Sequence, residues 1–366
     1  MTAFEINLDL CRGRQRRLLD EMQRQKLDLV IVTRIEHVQW LTGVRFGWVF
    51  SPAAALSADG HLTLCAPNRP PEKAAADTVC TYEAQWNSTL RNDQPQAAAE
   101  ALSRALAERQ RPRRIGVEFS TFGRHYNIEA ETLDIEPTLF RLRRRKDADE
   151  LALLGRAIAA TGAMYAEARR IIEPGMNELE MFNRLQATAV ESCGEMLTGT
   201  GNDYASGVRG GPPRDRRIED GELYILDLGP ACRGYFADNC RALAVNRRPT
   251  DLQQAACQHI AAAFTLVEQF VRPGARCRQL VRLVQEHMDR AACGTFDHHL
   301  GHGIGLFPHE APHLNLNWDD TFEEGDVFTS EPGLYAPELR AGIRLENDYR
   351  VTATGVELLS DFPLGL

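Results

Sequence analysis

The chain has 366 residues, a formal net charge of −9, 43% hydrophobic and 25% charged residues, the make-up of a globular protein long enough for two domains that each bury a core. The acidic balance excludes a general nucleic-acid or anionic-membrane binder, because both need a basic face. No apolar run approaches the ~20 residues of a membrane span, and the opening "MTAFEINLDLCRGRQRR" lacks the apolar core of a secretory leader, so a cytoplasmic protein is expected.

The first ~140 residues alternate helical and strand patterns. "CRGRQRRLLDEMQRQ" has helical apolar spacing, "LDLVIVT" is a buried-strand run, and "AAALSA" and "HLTLCAP" are further strands. "PQAAAEALSRALAERQ" is a second helix and "RRIGVEF" another strand. This order predicts an α/β domain over 1–142, with few residues of catalytic type. The basic run "RLRRRK" (141–146) is expected as a solvated hinge to a second domain over 143–366.

There "DADELALLGRAIAATGAMYAEARRII" predicts a long helix stopped by Pro174-Gly175. "NELEMFNRLQATAVESCG" predicts another, with Asn177 as N-cap and Gly194 closing it. The strand signals "ELYILDLG" and "GYFADNCRALAV" follow. The order then repeats: helix "DLQQAACQHIAAAFTLVEQF", a Pro-Gly stop, helix "CRQLVRLVQEHMDRAAC", and paired strands "DVFTSEPGLY" and "GIRLENDYRVTATG". Such repetition predicts an internal duplication of architecture. The nine cysteines form an odd set without a C-x-x-C pair and are expected as reduced thiols, with Cys232 and Cys240 as filler rather than ligands.

Five of the ten histidines fall within 298–313. His309-Glu310-Ala311-Pro312-His313 spells H-E-x-x-H, but that zinc signature works only on a continuous helix, where i and i+4 are neighbours. Pro308, Pro312 and the glycines of "GHGIG" are incompatible with one, since an interior proline costs ~3 kcal/mol. The acids suggest another site. Asp227 interrupts the apolar strand "LYILDLG", and an unpaired buried carboxylate is expensive. Asp238, Glu331 and Glu346 sit similarly on the arms of two expected hairpins. Four converging acids repel one another unless one or two divalent cations lie between them, with His302 as nitrogen ligand.

At this point the residues resemble the creatinase, aminopeptidase P, prolidase and methionine aminopeptidase superfamily. The motifs are "LDLGPACRGYFADNCR", "HHLGHGIGLFPHEAP", "SEPGLY" and "GIRLEN", in the family's order, and "RRLLDEMQRQKLDLVIVTRIEHVQWLTGVRF" is similar to its N-terminal domain. The resemblance implies a creatinase-type α/β domain followed by a pita-bread catalytic domain with pseudo-twofold duplication, α/β (α+β) in class, and commonly a homodimer. It implies two metal ions held by Asp227, Asp238, His302, Glu331 and Glu346, with Asp238 and Glu346 bridging. Such an oxygen-rich set suits Mn²⁺, Co²⁺, Fe²⁺ or Zn²⁺, and two ions would supply a bridging hydroxide and polarise a scissile carbonyl.

By the same resemblance Glu331 accepts the proton of that water and His309 is a substrate-carbonyl or proton-transfer residue. His298 lines the substrate pocket, and Arg344 organises Glu346 or binds substrate. His299, His313, Tyr235 and Tyr335 are expected to be structural. One departure concerns substrate: the loop "TGTGNDYASGVRGGPPRDRRIEDGEL" has no histidine where peptidase members carry one, leaving Asp203, Tyr204 or Arg209 to fill that space. The expected activity is cleavage of Xaa-Pro dipeptides or of Xaa-Pro at peptide N-termini. The alternative is a non-peptidase hydrolase or lyase acting on a small zwitterionic metabolite or amide.

Overall fold

Asn7 accepts the backbone N–H groups of Asp9 and Leu10 and so starts the first helix, α1 (Leu8–Gln25), whose buried face carries Cys11, Leu18 and Met22. The structure is a computed structural model that describes residues 6–123, 125, 126 and 128–366. Its chain divides into two units, Met1–Arg143 and Arg144–Leu366.

In the first unit, α1 is followed by β1 (Leu29–Val32), α2 (Ile35–Thr42), β2 (Ala53–Ser57), β3 (Leu62–Pro67) and β4 (Thr78–Tyr82). A short hairpin of β5 (Gln85–Trp86) and β6 (Thr89–Leu90) precedes α3 (Gln94–Leu106), β7 (Arg114–Val117), β8 (Glu131–Asp134) and α4 (Glu136–Arg144). The six-stranded sheet runs β4-β3-β2-β1-β7-β8. All four residues of β1 are buried, as its unbroken apolar run requires at the middle of a covered sheet.

The second unit repeats itself. Helices α5 (Ala148–Ile171) and α6 (Glu178–Cys193) precede β9 (Leu223–Leu228), a small hairpin of β10 (Ala231–Cys232) and β11 (Tyr235–Phe236), and β12 (Asn239–Ala244). Helices α7 (Asp251–Phe270) and α8 (Cys277–Met288) then precede β13 (Gly301–Gly303), β14 (Glu310–Leu314), β15 (Val327–Ser330) and β16 (Gly333–Leu334), with β17 (Ile343–Arg344), β18 (Asn347–Val351) and β19 (Val356–Leu358) closing the chain. The duplication reaches individual bonds. Gly175 donates to Ile218 O and Ile218 to Met176 O, while Gly274 donates to Phe322 O and Phe322 to Ala275 O. Both glycines have positive φ, 91° and 86°, the turn that each Pro-Gly pair was read to mark.

β9 and β12 pair antiparallel between the two helix pairs. Leu223, Ile225, Ala242 and Ala244 join the core under α7 and α8; Tyr224, Leu226, Leu228 and Leu243 join the core under α5 and α6. Successive strand residues face opposite ways, so a strand between two cores must be apolar throughout. Asp227 falls on the Leu223–Ile225 face and interrupts it.

Three expectations are corrected. "RLRRRK" is no solvated hinge: Arg143, Arg144 and Lys146 are buried. Arg144 donates to both Asp326 oxygens at 2.9 and 2.7 Å, and Lys146 lies 3.2 Å from Glu310. Their partners stand 182 and 164 positions away, beyond any local reading of charge. The cysteines are not all reduced, because the end of α6 meets β10 and Cys193 forms a disulfide with Cys232. The last long helix stops at Met288 rather than running to Cys293.

The strand that carries His302 leaves no room beside it: a Cβ on Gly303 would lie 2.1 Å from Ala311 O. Gly303→Ala is therefore expected to lower stability by about 1–3 kcal/mol in chemical denaturation, whereas Gly355→Ala, with nothing within 4 Å, should leave the midpoint unchanged.

Candidate metal centre

Asp227 sits within β9 and Asp238 immediately before β12; Glu331 follows β15 and Glu346 lies between β17 and β18. The β15–β18 register pairs Ser330 with Asn347, which brings the adjoining Glu331 and Glu346 together. The two hairpins meet where Glu346 N–H donates to Cys240 O at 2.9 Å. Buried Arg241 reinforces the junction, donating to Cys240 O (2.8 Å), Glu346 O (2.6 Å) and Asn347 Oδ1 (2.9 Å).

The five expected ligands converge. Ligand atoms of Asp227, Asp238 and Glu346 lie within 4.8 Å of one another, as do those of His302, Glu331 and Glu346, so Glu346 is common to both groups. His302 donates Nδ1–H to Gly303 O at 3.1 Å, which leaves the lone pair on Nε2 facing the acids, 3.6 Å from Asp238 and 3.7 Å from Glu331. Glu346 Oε2 is buried without a hydrogen-bond partner among the described residues.

Burial and mutual repulsion shape the electrostatics. Burial pushes the Asp227 carboxyl up to about 6, although Arg344 pulls against it. Asp238 and Glu346 are raised well above the carboxylate range, first by burial and then by neighbouring acids. Burial would raise Glu331 too, but His299 donates to it at 2.7 Å and, with His302 and Arg344, holds it at about 2. Burial lowers His302 to about 4, so its imidazole is neutral at pH 7. An orphaned carboxylate oxygen, an imidazole lone pair and acids driven toward protonation by burial and by one another fit divalent cations well.

Around this set, Arg344 organises Asp227 rather than Glu346. It donates to Asp227 at 2.7 Å, to Asp203, and to the Tyr335 hydroxyl at 3.3 Å. His298 donates from Nδ1 to His299 O at 2.8 Å and accepts the Tyr335 hydroxyl at Nε2, 2.9 Å away. His309 is exposed and stacks on His302 with ring centroids 3.6 Å apart. Its ring nitrogens make no hydrogen bond among the described residues. A cavity of about 360 Å³ opens over the acids, lined also by His298, His299, His309, Arg209 and Arg344.

Sequence reasoning overlooked His299, which was expected to be structural and is bonded to Glu331. It also treated Tyr335 as packing, whereas its hydroxyl links His298 to Arg344. The extra histidine in "HHLGH" was the available signal for the first; nothing local signals the second. Residues 310–313 of the H-E-x-x-H pattern lie in β14, with His309 just before it, and not on a helix. Glu310 pairs with Lys146, and His313 bonds Asp320 at 2.8 Å and stacks on Trp318, so neither faces the acids.

Residues 152–353 match metallopeptidase family M24, and residues 14–145 match the creatinase/prolidase N-terminal domain. The chain belongs to metallopeptidase family M24, within the creatinase, aminopeptidase P and prolidase superfamily. It is 30% identical over 240 residues to the uncharacterized peptidase YqhT of Bacillus subtilis, covering 64% of this chain and 67% of that one. The Xaa-Pro dipeptidase from Bacillus anthracis superposes with a TM-score of 0.81 at 23% identity over 98% of each chain. The prolidase from Pyrococcus horikoshii superposes at 0.79 and 22% identity, over 96% of this chain and 99% of that one. These likenesses establish the fold: a creatinase-type N-terminal domain and a pita-bread catalytic domain.

Two outcomes are expected at this centre. Mn²⁺ loading of metal-free protein at pH 7 should release about one proton or more, because Asp238 and Glu346 must ionise to bind. Affinity should weaken as the pH falls through 6 and Asp227 also takes a proton; calorimetry in buffers of different ionisation enthalpy reads both. His313→Ala should leave metal stoichiometry unchanged by elemental analysis, and a lost metal would reassign the site to the H-E-x-x-H pattern.

Proposed function

We propose that the chain is a metal-dependent hydrolase that cleaves the Xaa-Pro amide bond, in dipeptides or at the N-terminus of longer peptides. The observation that carries this reading is the convergence of Asp227, Asp238, His302, Glu331 and Glu346 under one small cavity, with Glu346 common to two ligand groups. Those five residues would hold two divalent ions (Mn²⁺, Co²⁺, Zn²⁺ or Fe²⁺). Bound there, the ions would supply an acidified water and a polarised substrate carbonyl.

The chain's own groups divide the remaining work. Glu331, kept ionised by His299, takes the proton of the attacking water. His309, neutral and facing the cavity with unengaged ring nitrogens, donates its N–H to the scissile carbonyl, and Glu331 returns the proton it took from the water to the leaving nitrogen. Arg344 positions Asp227 and, with Tyr335, sets the orientation of His298 on the pocket wall. The names of the structural neighbours, which include an Xaa-Pro dipeptidase from Bacillus anthracis and an X-Pro aminopeptidase from Thermotoga maritima, support the substrate class.

A second reading, a non-peptidase acting on a small zwitterionic metabolite, is favoured by one observation: the loop over the site has no histidine and turns Arg209 into the cavity instead. A screen of Xaa-Pro dipeptides, longer Xaa-Pro peptides and small amides with Mn²⁺ or Co²⁺ separates the two. Asp238→Asn is expected to lower metal-dependent turnover by more than about 100-fold, beyond the loss typical of an outer-shell partner. Retained activity would remove Asp238 from the site, and a purified protein free of transition metal and indifferent to chelator would end the dinuclear reading.

A further inference from the structure

Thr200, Gly201, Asn202 and Arg209 line the cavity, and the fold ties their loop, 199–211, to the strand that carries Asp227. Asp203 bridges to Asp227 and Gly199 to Ala231 through the backbone. Tyr204 N–H donates to Gly211 O, and Gly211 N–H to the Asp203 carboxylate, both at 2.7 Å, which closes 203–211 into a fixed turn. Any side chain this turn directs into the cavity is therefore held at a constant offset from Asp227.

Three side chains compete for that role. Asp203 is consumed by Arg344 and Gly211. Tyr204 is 1% exposed, edge-on to Phe182, with its hydroxyl bonded to Gln186. Arg209 alone of the three lines the cavity. Its guanidinium lies 4.0 Å over the Tyr335 ring centroid and pairs with Asp297 through two of its N–H groups. An arginine carries five N–H donors and is always charged, so three donors remain without a partner among the described residues.

We propose that Arg209 is the specificity-determining residue of this site and binds the free carboxylate of a dipeptide, which makes the enzyme a dipeptidase rather than an aminopeptidase for longer chains. This rests on the peptidase reading given above. Tyr335 fixes the plane of the guanidinium and Asp297 fixes one edge, so the free edge is oriented before substrate arrives, the arrangement in which a planar fork recognises a carboxylate in bidentate fashion. A cavity of about 360 Å³ suits a small molecule, near the lower end of the ~300–1,000 Å³ typical of ligand sites. Lined by both carboxylates and a guanidinium, it matches a zwitterion. A longer peptide would present a neutral amide to Arg209 and would have to continue past the Arg209–Asp297 pair at the exposed rim.

The test uses the full chain loaded with Mn²⁺ and compares kcat/KM for Ala-Pro, Ala-Pro-amide and Ala-Pro-Ala. Wild type should favour the free acid over the amide by about 10- to 100-fold, the range for a hydrogen bond to a charged group. Arg209→Met should collapse that ratio to about one, chiefly by loss on the acid. Asp297→Asn, which weakens the rim pair but keeps the guanidinium stacked on Tyr335, should reduce the preference only in part and leave it well above one. An indifferent wild type, an equal loss on all substrates in Arg209→Met, or Asp297→Asn behaving as Arg209→Met would overturn the proposal and leave Arg209 as a fastener of the loop. If the metal-loaded protein cleaves none of the three, the peptidase reading fails and calorimetric binding of Ala-Pro against Ala-Pro-amide decides the role of Arg209. Binding that needs both the carboxylate and Arg209 upholds it; no such dependence overturns it.

Discussion

Four carboxylates, Asp227, Asp238, Glu331 and Glu346, are held close together where little water reaches them, and the rest of the catalytic unit answers to that constraint. Like charges a few ångströms apart cannot all ionise without compensation. Burial first, and then the neighbouring acids, drive Asp238 and Glu346 toward the protonated form, while Glu331, bonded to His299 and near His302 and Arg344, stays charged. Such a cluster has little value to stability. It makes sense as a preorganised receptor whose missing positive charge is supplied on loading.

Architecture delivers the acids in pairs. Each half of the unit contributes two helices, a Pro-Gly turn and a hairpin, and each hairpin brings two carboxylates to its end. The halves are joined at the site itself: the amide of Glu346 bonds to the carbonyl of Cys240, two residues after Asp238, and Arg241 donates to the carbonyls of both segments. The geometry of the acids and the packing of the two halves are consequently one problem, and a disturbance of β12 or β18 displaces Asp238 or Glu346. Arg344 extends this coupling outward, since it touches Asp227, Asp203 and Tyr335 and so links the metal strand, the loop over the cavity and the wall carrying His298.

The long helices α1, α3, α5, α6 and α7 and the main buried strands were legible in the chain because they depend on local spacing, whereas the short α2 and α4 were not read. Asn177 and Gly194 bound α6 as read, and the two Pro-Gly stops mark equivalent turns. The burial of Arg144 and Lys146 was not legible, nor was the Cys193–Cys232 disulfide, since each partner is supplied by a distant segment. The roles of His299 and Tyr335 were hidden for a similar reason. A histidine beside a ligand and an aromatic after a strand look alike whether they pack or bond, until the facing element is in place.

By itself the sequence determined the order of the long helices and main strands, the doubled plan and the acids that interrupt or follow apolar strands, because apolar period, turn residues and acids in apolar strands are local properties of the chain. Only the tertiary structure decided that Glu346 is shared between two ligand groups and that Arg344 serves Asp227. It also decided that Arg209, rather than Asp203 or Tyr204, reaches the cavity. Those are distances between segments up to 141 positions apart in sequence, and a distance of that kind exists only once both halves have packed.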